Sequence, residues 1–425
     1  MTMQSGPGVL FGSALANDWP TVSLGSISRK IGSGLTPTGG ARVYKSEGFP
    51  LVRSQNVGWG SLIVDDLAYI DEPTHLAMSN SELQDNDVLL NITGASIGRC
   101  AMVTTEVCGG NVNQHVCIIR VNREDASPSF LIHCLLSELG QRQIDSFQAG
   151  SNREGLNFGQ VKSILIPLPK IQEQRKIAEV LDDVDGSITS LNSLITKKRN
   201  LKNGVAQELL SGSSRLPGFQ SAWRTTSLNE LGEGIRGVGY NPARDLLSGD
   251  RDGAVHLLRS NNIADDAINL GDVQRVRRSV VREDQLLRLG DVVICGANGS
   301  KRLVGKAGFF TISDGLLYTF GAFMNCFRPD SRKSCPAFVG HLLHSTRYRE
   351  QVALAIAGSS INNLSVKQIV EFTFSLPDAE EQRAIAEVLT DMDAEIQTLE
   401  QRLVKTRNLK QGMAQELLSG RTRLV

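Results

Sequence analysis

Leu168–Gly212 reads LPKIQEQRKIAEVLDDVDGSITSLNSLITKKRNLKNGVAQELLSG, and Leu376–Gly420 reads LPDAEEQRAIAEVLTDMDAEIQTLEQRLVKTRNLKQGMAQELLSG. Aligned with an offset of 208 positions, the two stretches agree at 27 of 45 residues. A repeat of this clarity, at a period of about 200 residues, is too long for a solenoid unit. It indicates that a domain and the helix that follows it have been duplicated.

Each copy carries apolar residues at alternating spacings of four and three, which is the a/d seam of a helix that packs on a partner helix. The seam consists of Ile177, Leu181, Val184, Ile188, Leu191 and Ile195 in the first copy and Ile385, Leu389, Met392, Ile396, Leu399 and Leu403 in the second. Gly204 and Gly412 each cost about 1 kcal/mol relative to alanine inside a helix. We therefore expect a kink or break at each glycine, followed by a short helix.

Polar residues recur in the repeat as well as apolar ones. Glu173-Gln174-Arg175 matches Glu381-Gln382-Arg383. We interpret these as exposed positions, which helix packing alone would not keep alike. The simpler alternative is that both helices merely belong to a bundle, whereas a partner surface shared by the two copies would explain the polar identity.

The composition is that of a soluble globular protein, with 40% apolar and 21% charged residues among 425. The 45 basic and 45 acidic residues balance, which disfavours a solitary DNA-binding protein more than a subunit whose neighbours bring charge. The seven cysteines form no CxxC pair, so we predict reduced thiols, no zinc site and a cytoplasmic location. Neither an export signal nor a membrane span is predicted.

The duplication extends beyond the helices, because the strand and loop patterns of residues 18–167 recur in residues 223–375. The predicted class is α+β, with two tandem α/β domains that are each followed by a long helix. The predicted segments are a first domain at 18–167, a first helical spacer at 168–212, a linker at 213–222, a second domain at 223–375 and a second spacer at 376–421.

The sequence lacks the motifs of common catalytic sites. Gly305-Lys306 has Ser300 where a phosphate-binding loop needs glycine, and no Gly-x-Gly-x-x-Gly run follows a strand. Asn241–Arg244 lacks the second proline and the aromatic residue of the amino-methyltransferase motif. His341 and His344 have no third ligand nearby in the sequence. We predict no catalytic residue and no metal site.

Instead, loops rich in Arg, Asn, Gln, Ser and Gly follow the predicted strands. Arg53–Asn56 corresponds to Arg259–Asn262, and Thr93–Arg99 corresponds to Gly296–Arg302. Arginine pairs with guanine, and asparagine or glutamine with adenine, in the major groove. For a single residue, turn formation is the simpler explanation. The strands align between the halves while the loops differ, which favours two domains of one fold that read two different targets.

The repeated LPxxxEQRxIAEVL and RNLKxGxAQELLSG motifs resemble the helical repeats of type I restriction–modification specificity subunits. Asp87–Arg99, DVLLNITGASIGR, and Asn111–Arg120, NVNQHVCIIR, resemble the target-recognition domains of that family. The second half departs from the first: its loop NGSKRLVGKAGF is more basic, and it has no Asn-x-Asn-Gln-His. The resemblance covers nearly the whole chain.

The resemblance implies a non-catalytic subunit whose two domains read the two parts of an interrupted, asymmetric double-stranded DNA site. Two modification subunits would carry S-adenosylmethionine and adenine methylation, and two restriction subunits would add ATP- and Mg-dependent translocation and cleavage. The resemblance also implies that the two long helices pack as an antiparallel coiled coil and act as a spacer, which would relate the two domains by a pseudo-twofold axis. The seam residues Leu181, Ile188 and Leu191 should then face Leu389, Ile396 and Leu399. The DNA contacts predicted are Arg53, Gln55, Asn56, Arg99, Arg153, Arg259, Asn261, Asn262, Lys301 and Arg302.

Three other functions are compatible with the sequence. The chain could serve a methyltransferase that has no nuclease partner, which the neighbouring genes would reveal. It could be a stand-alone DNA-binding regulator, although it has no recognisable helix-turn-helix. It could also be an enzyme with an unrecognised site, which activity of the lone chain would show.

Overall fold

The computed structural model describes residues 18–37, 39, 43–148, 155–249, 253–264, 267–357 and 362–424. The chain divides into two compact units, of which unit 1 comprises residues 1–192 with 401–425, and unit 2 comprises residues 193–400. Each unit therefore contains one α/β domain, the beginning of one long helix and the end of the other. The domain boundaries given above from the sequence stay predictions.

The α/β part of unit 1 alternates short strands with short helices. Its strands are β1 (Thr21–Ser23), β2 (Ser28–Ser33), β3 (Phe49–Val52), β4 (Ala68–Ile70), β5 (Val88–Asn91), β6 (Cys100–Met102), β7 (Asn111–Val112), β8 (Val116–Val121) and β9 (Leu165–Pro167). Its helices are α1 (Leu24–Ile27), α2 (Glu72–Ala77), α3 (Pro128–Leu136), α4 (Glu138–Gln148) and α5 (Phe158–Ser163).

Three sheets organise these strands. An antiparallel sheet has the order β2-β8-β5-β6, a second sheet has the order β4-β3-β7, and β1 pairs with β9. The central strands β5 and β8 are almost entirely apolar and buried, as expected for strands covered on both faces. Helices α3 and α5 contribute Phe130 and Val161 to the core cluster beside them.

The α/β part of unit 2 repeats this plan. Its strands are β10 (Arg224–Ser227), β11 (Gly232–Arg236), β12 (Ala254–Leu258), β13 (Ile263–Ala264), β14 (Ala267–Ile268), β15 (Gln274–Arg277), β16 (Val292–Cys295), β17 (Ala307–Phe309), β18 (Tyr318–Phe320), β19 (Met324–Pro329) and β20 (Thr373–Leu376). Its sheet orders are β11-β19-β16-β17 and β15-β12-β18, with pairs β10-β20 and β13-β14. The structure thus confirms the predicted α+β class and the duplication.

Helices connect these strands and continue the chain into the repeat. The long helices are α6 (Ile171–Ser211) and α12 (Ala379–Leu418), and the short helices of unit 2 are α7 (Leu228–Leu231), α8 (Pro242–Asp245), α9 (Pro336–Leu342), α10 (Thr346–Ala357) and α11 (Val366–Glu371). Among the described residues, no helix is both long and apolar enough to cross a membrane.

Both long helices pass through their glycines without interruption, so the predicted break at Gly204 and Gly412 is wrong. A Cβ at either glycine would meet nothing within 4 Å, which shows that packing does not require glycine there. Leu209 and Leu210 beyond the first glycine are buried in the core of unit 2. Their burial outweighs the local cost of about 1 kcal/mol that the glycine imposes on the helix.

Within each unit the two helix segments run antiparallel, as predicted. In unit 1, Lys410 contacts Asp185 at 2.6 Å, while Arg423, beyond the end of α12, contacts Glu173 in the first turn of α6. In unit 2, Lys202 makes the equivalent contact with Asp393 at 2.5 Å. As the residue number of the contact rises along one helix, that of its partner falls along the other, which is the pattern of antiparallel helices.

The predicted facing of seam residues is wrong in its register. Leu181 is buried in a cluster that includes Leu417 and Leu418, at the end of α12. Leu389 is buried in a separate cluster with Leu209 and Leu210, at the end of α6. The first residues of each seam therefore pack on the last turns of the other helix, and Leu181 does not face Leu389. The periodicity identifies the buried face but not the segment that covers it.

The shared Glu-Gln pairs are buried, which corrects their interpretation as exposed positions. Glu173 and Glu381 are 1% and 0% exposed. Gln174 accepts the Ser127 N–H and donates to the Asp125 carbonyl oxygen, and so ties α6 to the loop before α3. These identities are explained by contacts inside each unit, so they do not by themselves indicate a partner.

Candidate nucleic-acid interface

The Arg-Ser-Gln-Asn loop that follows β3 is held together by its asparagine. Asn56 Oδ1 accepts the Arg53 N–H at 3.0 Å, and Asn56 Nδ2 donates to the carbonyl oxygens of Ile63 and Asp66, each at 3.0 Å. Arg53 Nη2 donates to the same Asp66 carbonyl. Asn56 is 1% exposed. The loop is therefore closed by its own side chains.

The equivalent loop of unit 2 is built in the same way. Asn262 Oδ1 accepts the Arg259 N–H at 2.9 Å, and Asn262 Nδ2 donates to Asn269 and Asp272 carbonyl oxygens. Arg259 pairs with the Asp272 carboxylate at 2.9 Å. Because the same brace appears twice, the repeated Arg-Ser-x-Asn sequence is explained by loop structure.

This arrangement corrects two of the predicted DNA contacts. Asn56 and Asn262 are buried and both amide hydrogens are used, so neither can present its amide to a base. Arg53 and Arg259 are partly buried and paired with aspartates. Gln55 and Asn261 are exposed at the loop tips, and each donates to an aspartate carboxylate of its loop, at 2.6 and 3.2 Å.

Three of the remaining predicted contacts lie in the loops that follow β5 and β16. Arg99 is partly buried, and its Nε has no hydrogen-bond partner among the described residues. Lys301 and Arg302 form the exposed turn of 3₁₀ helix Lys301–Leu303. Arg153 lies outside the described residues.

In unit 1, four loops meet at the ends of the central strands. The Ile92 N–H donates to the His115 carbonyl oxygen at 3.0 Å, and the Leu156 N–H donates to the Ile92 carbonyl oxygen at 2.8 Å. Asn91 Nδ2 donates to the Ser54 carbonyl oxygen at 2.8 Å, which adds the loop after β3. Residues that are distant in sequence thus share one edge of the domain.

Unit 2 repeats these backbone hydrogen bonds between its strand-end loops. The Gly296 N–H donates to the Phe323 carbonyl oxygen at 2.9 Å, and the Leu364 N–H donates to the Gly296 carbonyl oxygen at 2.7 Å. Asn298 N and Asn362 O are 3.4 Å apart, and Asn362 Nδ2 donates to the Gly299 carbonyl oxygen at 3.0 Å. We call these two sets of strand-end loops the loop edges of unit 1 and unit 2.

The loop edge of unit 1 carries a polar chain centred on His115. Its Nδ1 lies 2.5 Å from Thr93 Oγ1, and its Nε2 lies 2.9 Å from Gln114 Nε2. Gln114 Oε1 accepts a hydrogen bond from Thr36. Amide and hydroxyl groups read base edges in the major groove. His115 and Gln114 were absent from the predicted contacts, although their motif Asn-Gln-His was visible.

A buried ion pair fixes the opposite ends of the central strands in both units. Arg120 bonds to both oxygens of Asp87, each at 2.7 Å, and Arg328 bonds to Asp291 at 2.9 and 2.7 Å. Each aspartate immediately precedes β5 or β16. The sequence signal was present, since an aspartate begins and an arginine ends the same strand pair in each half.

The described residues contain no group of three or more His, Cys, Asp or Glu side chains suited to hold a metal ion. His344 Nε2 lies 3.1 Å from the Ala307 carbonyl oxygen, and His341 lies 4.0 Å from Asp393. The two histidines therefore have separate partners.

The chain is similar to DNA specificity subunits of type I restriction enzymes. The family described as the type I restriction modification DNA specificity domain matches residues 17–201 and 271–406. The StySPI specificity subunit of a type I restriction enzyme from Salmonella potsdam is 28% identical over 46% of this chain. The EcoKI specificity subunit from Escherichia coli K12 is 28% identical over 44%. The matches span 42% and 39% of those two relatives, about two fifths of their length.

Solved structures show the same fold over 95% of the chain. A type I restriction–modification S subunit from M. genitalium has a TM-score of 0.61 at 15% identity, with 95% of this chain and 97% of that one covered. A structure described under complex assembly and conformational transition of the type I R-M system has a TM-score of 0.57 at 20% identity, with 95% and 98% covered.

Proposed function

We propose that this chain, which belongs to the type I restriction modification DNA specificity family, reads the two parts of an interrupted DNA site through its two loop edges. The observation that carries the proposal is the repeated backbone frame. Ile92 with His115 and Gly296 with Phe323 make the same hydrogen bond, while the side chains beside them differ. Two loop edges with the same backbone and different side chains can recognise two different base sequences, as an asymmetric site requires.

The two edges offer different means of reading bases. Gln114, His115 and Thr93 at the edge of unit 1 supply hydrogen-bond donors and acceptors. Lys301 and Arg302 at the edge of unit 2 supply exposed positive charge, which suits phosphate or guanine. The chain is neutral overall, so these local charges provide modest attraction, and partner subunits would bring the remaining positive charge.

The chemistry would belong to the partners. Modification subunits would bind S-adenosylmethionine and methylate adenine, and restriction subunits would use ATP and Mg for translocation and cleavage. This chain would direct both reactions by holding the complex on its site. No step of either reaction is assigned to a residue of this chain.

Two leucines support docking of like partners on the long helices. Leu201 and Leu409 occupy the same place in the repeated Arg-Asn-Leu-Lys and are 54% and 59% exposed. The lysines that follow them, Lys202 and Lys410, turn toward Asp393 and Asp185 of the neighbouring helix segment. The leucines therefore remain at the surface, where their burial by a modification subunit would stabilise a complex by about 1.5–3 kcal/mol each.

DNA reading is tested on the assembled methyltransferase with a library of targets. Lys301→Ala with Arg302→Ala should relax or weaken recognition of one half-site and leave the other unchanged. A lost base contact costs about 1–3 kcal/mol at one position, whereas a lost phosphate contact weakens all sequences alike. Arg332→Ala is the matched control, because Arg332 is an exposed arginine beyond the other end of β19. Equal behaviour of the variant and the control would refute the proposal.

Partner docking is tested separately by native mass spectrometry. Leu201→Ser or Leu409→Ser alone should reduce the occupancy of one modification subunit, and the double variant should reduce both. Leu354→Ser serves as the control, since Leu354 is 77% exposed on helix α10 of the α/β domain. Full assembly of the double variant would contradict this part. Tight, specific binding by the purified chain alone would instead favour a stand-alone regulator.

A further inference from the structure

Phe323 is a large apolar side chain held out into solvent. It lies in the turn between β18 and β19 and is 73% exposed. A single exposed apolar residue is ordinary on a protein surface. Phe323 differs because its backbone forms part of the loop edge of unit 2, whose neighbouring loop also carries Lys301 and Arg302.

The backbone that carries this ring is firmly held. The Phe323 carbonyl oxygen accepts the N–H groups of both Gly296 and Ala297, at 2.9 and 3.0 Å. A Cβ on Gly296 would lie 2.6 Å from Asn325 Nδ2 and 3.2 Å from the Phe323 carbonyl oxygen, so this approach requires glycine. Asn325 Nδ2 also donates to the Leu364 carbonyl oxygen at 2.8 Å. The backbone that positions Phe323 at the loop edge is therefore fixed.

The strand register identifies the counterpart of Phe323 in unit 1. Val88 pairs with Ile119 and Val292 pairs with Phe327, so β8 and β19 correspond with these residues aligned. Four residues before each partner lie His115 and Phe323. His115 is half-buried in a polar chain, whereas Phe323 is exposed and has no side-chain polar group. At this corresponding backbone position, unit 2 has the apolar ring of Phe323 where unit 1 has the hydrogen-bonding ring of His115.

We propose that Phe323 reads thymine in the second half-site through contact with the 5-methyl group in the major groove. A phenyl ring cannot follow the donor and acceptor pattern of the bases, and the thymine methyl is the apolar feature of that groove. This inference rests on the proposed function and assigns one specificity to one side chain. It predicts that at least one essential base pair of that half-site is an A·T pair.

The test replaces each thymine of the second half-site by deoxyuridine, which removes only the methyl group. Binding and methylation are measured with the assembled methyltransferase carrying wild-type chain or Phe323→Ala. For wild type, one replacement should weaken binding about three- to tenfold, which is the size of losing one buried methyl contact. The Phe323→Ala complex should bind thymine DNA with a similar loss and should no longer distinguish thymine from uracil there.

His115→Ala is the matched control, since His115 is the residue of unit 1 that corresponds to Phe323. It should leave the discrimination between thymine and uracil in the second half-site intact. If Phe323→Ala and the thymine-to-deoxyuridine replacement weakened binding by independent factors that multiply at every thymine, the proposal would be overturned. Two groups in contact should instead show coupled effects on binding. An assembly defect of Phe323→Ala without DNA would overturn it in favour of a protein contact. Base unstacking in 2-aminopurine fluorescence, without a methyl effect, would overturn it in favour of an inserted wedge.

These failures are distinguishable from failure of the proposed function. If Lys301→Ala with Arg302→Ala still alters recognition of the second half-site while the methyl effect is absent, DNA reading stands and the assignment of Phe323 fails. If neither change affects DNA recognition, the loop edge itself is not the DNA surface.

Discussion

Arg423 donates two hydrogen bonds to the carboxylate of Glu173, from Nε to Oε1 at 2.5 Å and from Nη2 to Oε2 at 2.8 Å. Its guanidinium also lies over the Trp19 ring, 5.1 Å from the centroid. Unit 2 repeats the contact with Arg215 and Glu381, where the hydrogen bonds to the carboxylate raise the pKa of Arg215. In each unit this pair fastens the chain beyond one long helix to the first turn of the other.

Glu173→Gln should destabilise unit 1 by about 1–3 kcal/mol, because it removes the charge of a 1% exposed group while its arginine stays in place. The free energy of unfolding measured in urea checks this. Glu381→Gln is the matched change in unit 2 and should cost a similar amount. Glu179→Gln, at an exposed position of α6, should stay within about 0.5 kcal/mol. A loss as large for Glu179 would show that the buried pair is not the cause.

The duplication and the helices could be predicted because they leave periodic marks in the sequence. Leu181 and Leu389 occupy seam positions in any antiparallel pairing. Their actual neighbours depend on how the segments around Leu417 and Leu209 pack, and periodicity carries no information on that choice. The uninterrupted helix at Gly204 likewise depends on tertiary burial of Leu209, which a local propensity cannot include.

Leu181→Ala should destabilise the protein by about 2–5 kcal/mol, the cost of emptying a fully buried leucine site. Ile188→Ala should cost less, because Ile188 is only partly buried. Chemical denaturation of the full chain measures both. Leu201→Ala provides the control at an exposed helix position and should change stability by less than about 0.5 kcal/mol. Equal losses at Leu181 and Ile188 would mean that the seam is covered uniformly, in conflict with their burial.

His341 should make unit 2 sensitive to acid. Burial lowers its pKa to about 4, with Lys202 and His344 acting in the same direction and Asp393 opposing them. The unfolded pKa is about 6.5, so between these values the unfolded chain binds more protons. Stability should therefore fall as pH drops from about 6.5 to about 4, by on the order of 1–3 kcal/mol, and this contribution should be constant outside that window.

The control for His341 comes from unit 1, where the corresponding His133 Nε2 lies 2.8 Å from Asp182. In unit 2 the position equivalent to Asp182 is Thr390, whose Oγ1 lies 3.3 Å from His341 Nε2. Thr390→Asp should raise the pKa of His341 and reduce the acid loss, and His341→Gln should remove it. Urea titrations at several pH values measure these changes. An unchanged pH profile for His341→Gln would assign the acid sensitivity to another group.

The candidate DNA surface was only partly predictable. The strand–loop pattern located the loop edges, and Lys301 and Arg302 proved exposed. Asn56 was misleading, because a residue that closes a loop and a residue that reads a base have the same composition. Phe323 alone carried no sequence signal, because its correspondence to His115 in unit 1 becomes apparent only through the strand register.

The last prediction concerns the gap between the two half-sites. Both long helices pass from one unit to the other, at equivalent positions after Asn192 and Glu400. We expect their length to set the gap that the complex requires. Seven residues inserted in both helices at these points should add about 10.5 Å of helix, with only about 20° of drift in the seam. The required gap should then lengthen by about three base pairs at 3.4 Å each.

A library of targets that vary only in gap, methylated by the assembled complex, measures this change, and the bases read in each half-site should stay the same. Insertion in one helix alone is the control. It should lower stability without creating a new preferred gap, because each unit takes one segment from each helix and the two connecting lengths would no longer match. If the doubly extended chain kept the parental gap, or changed its half-site sequence instead, the helices would not be the spacer.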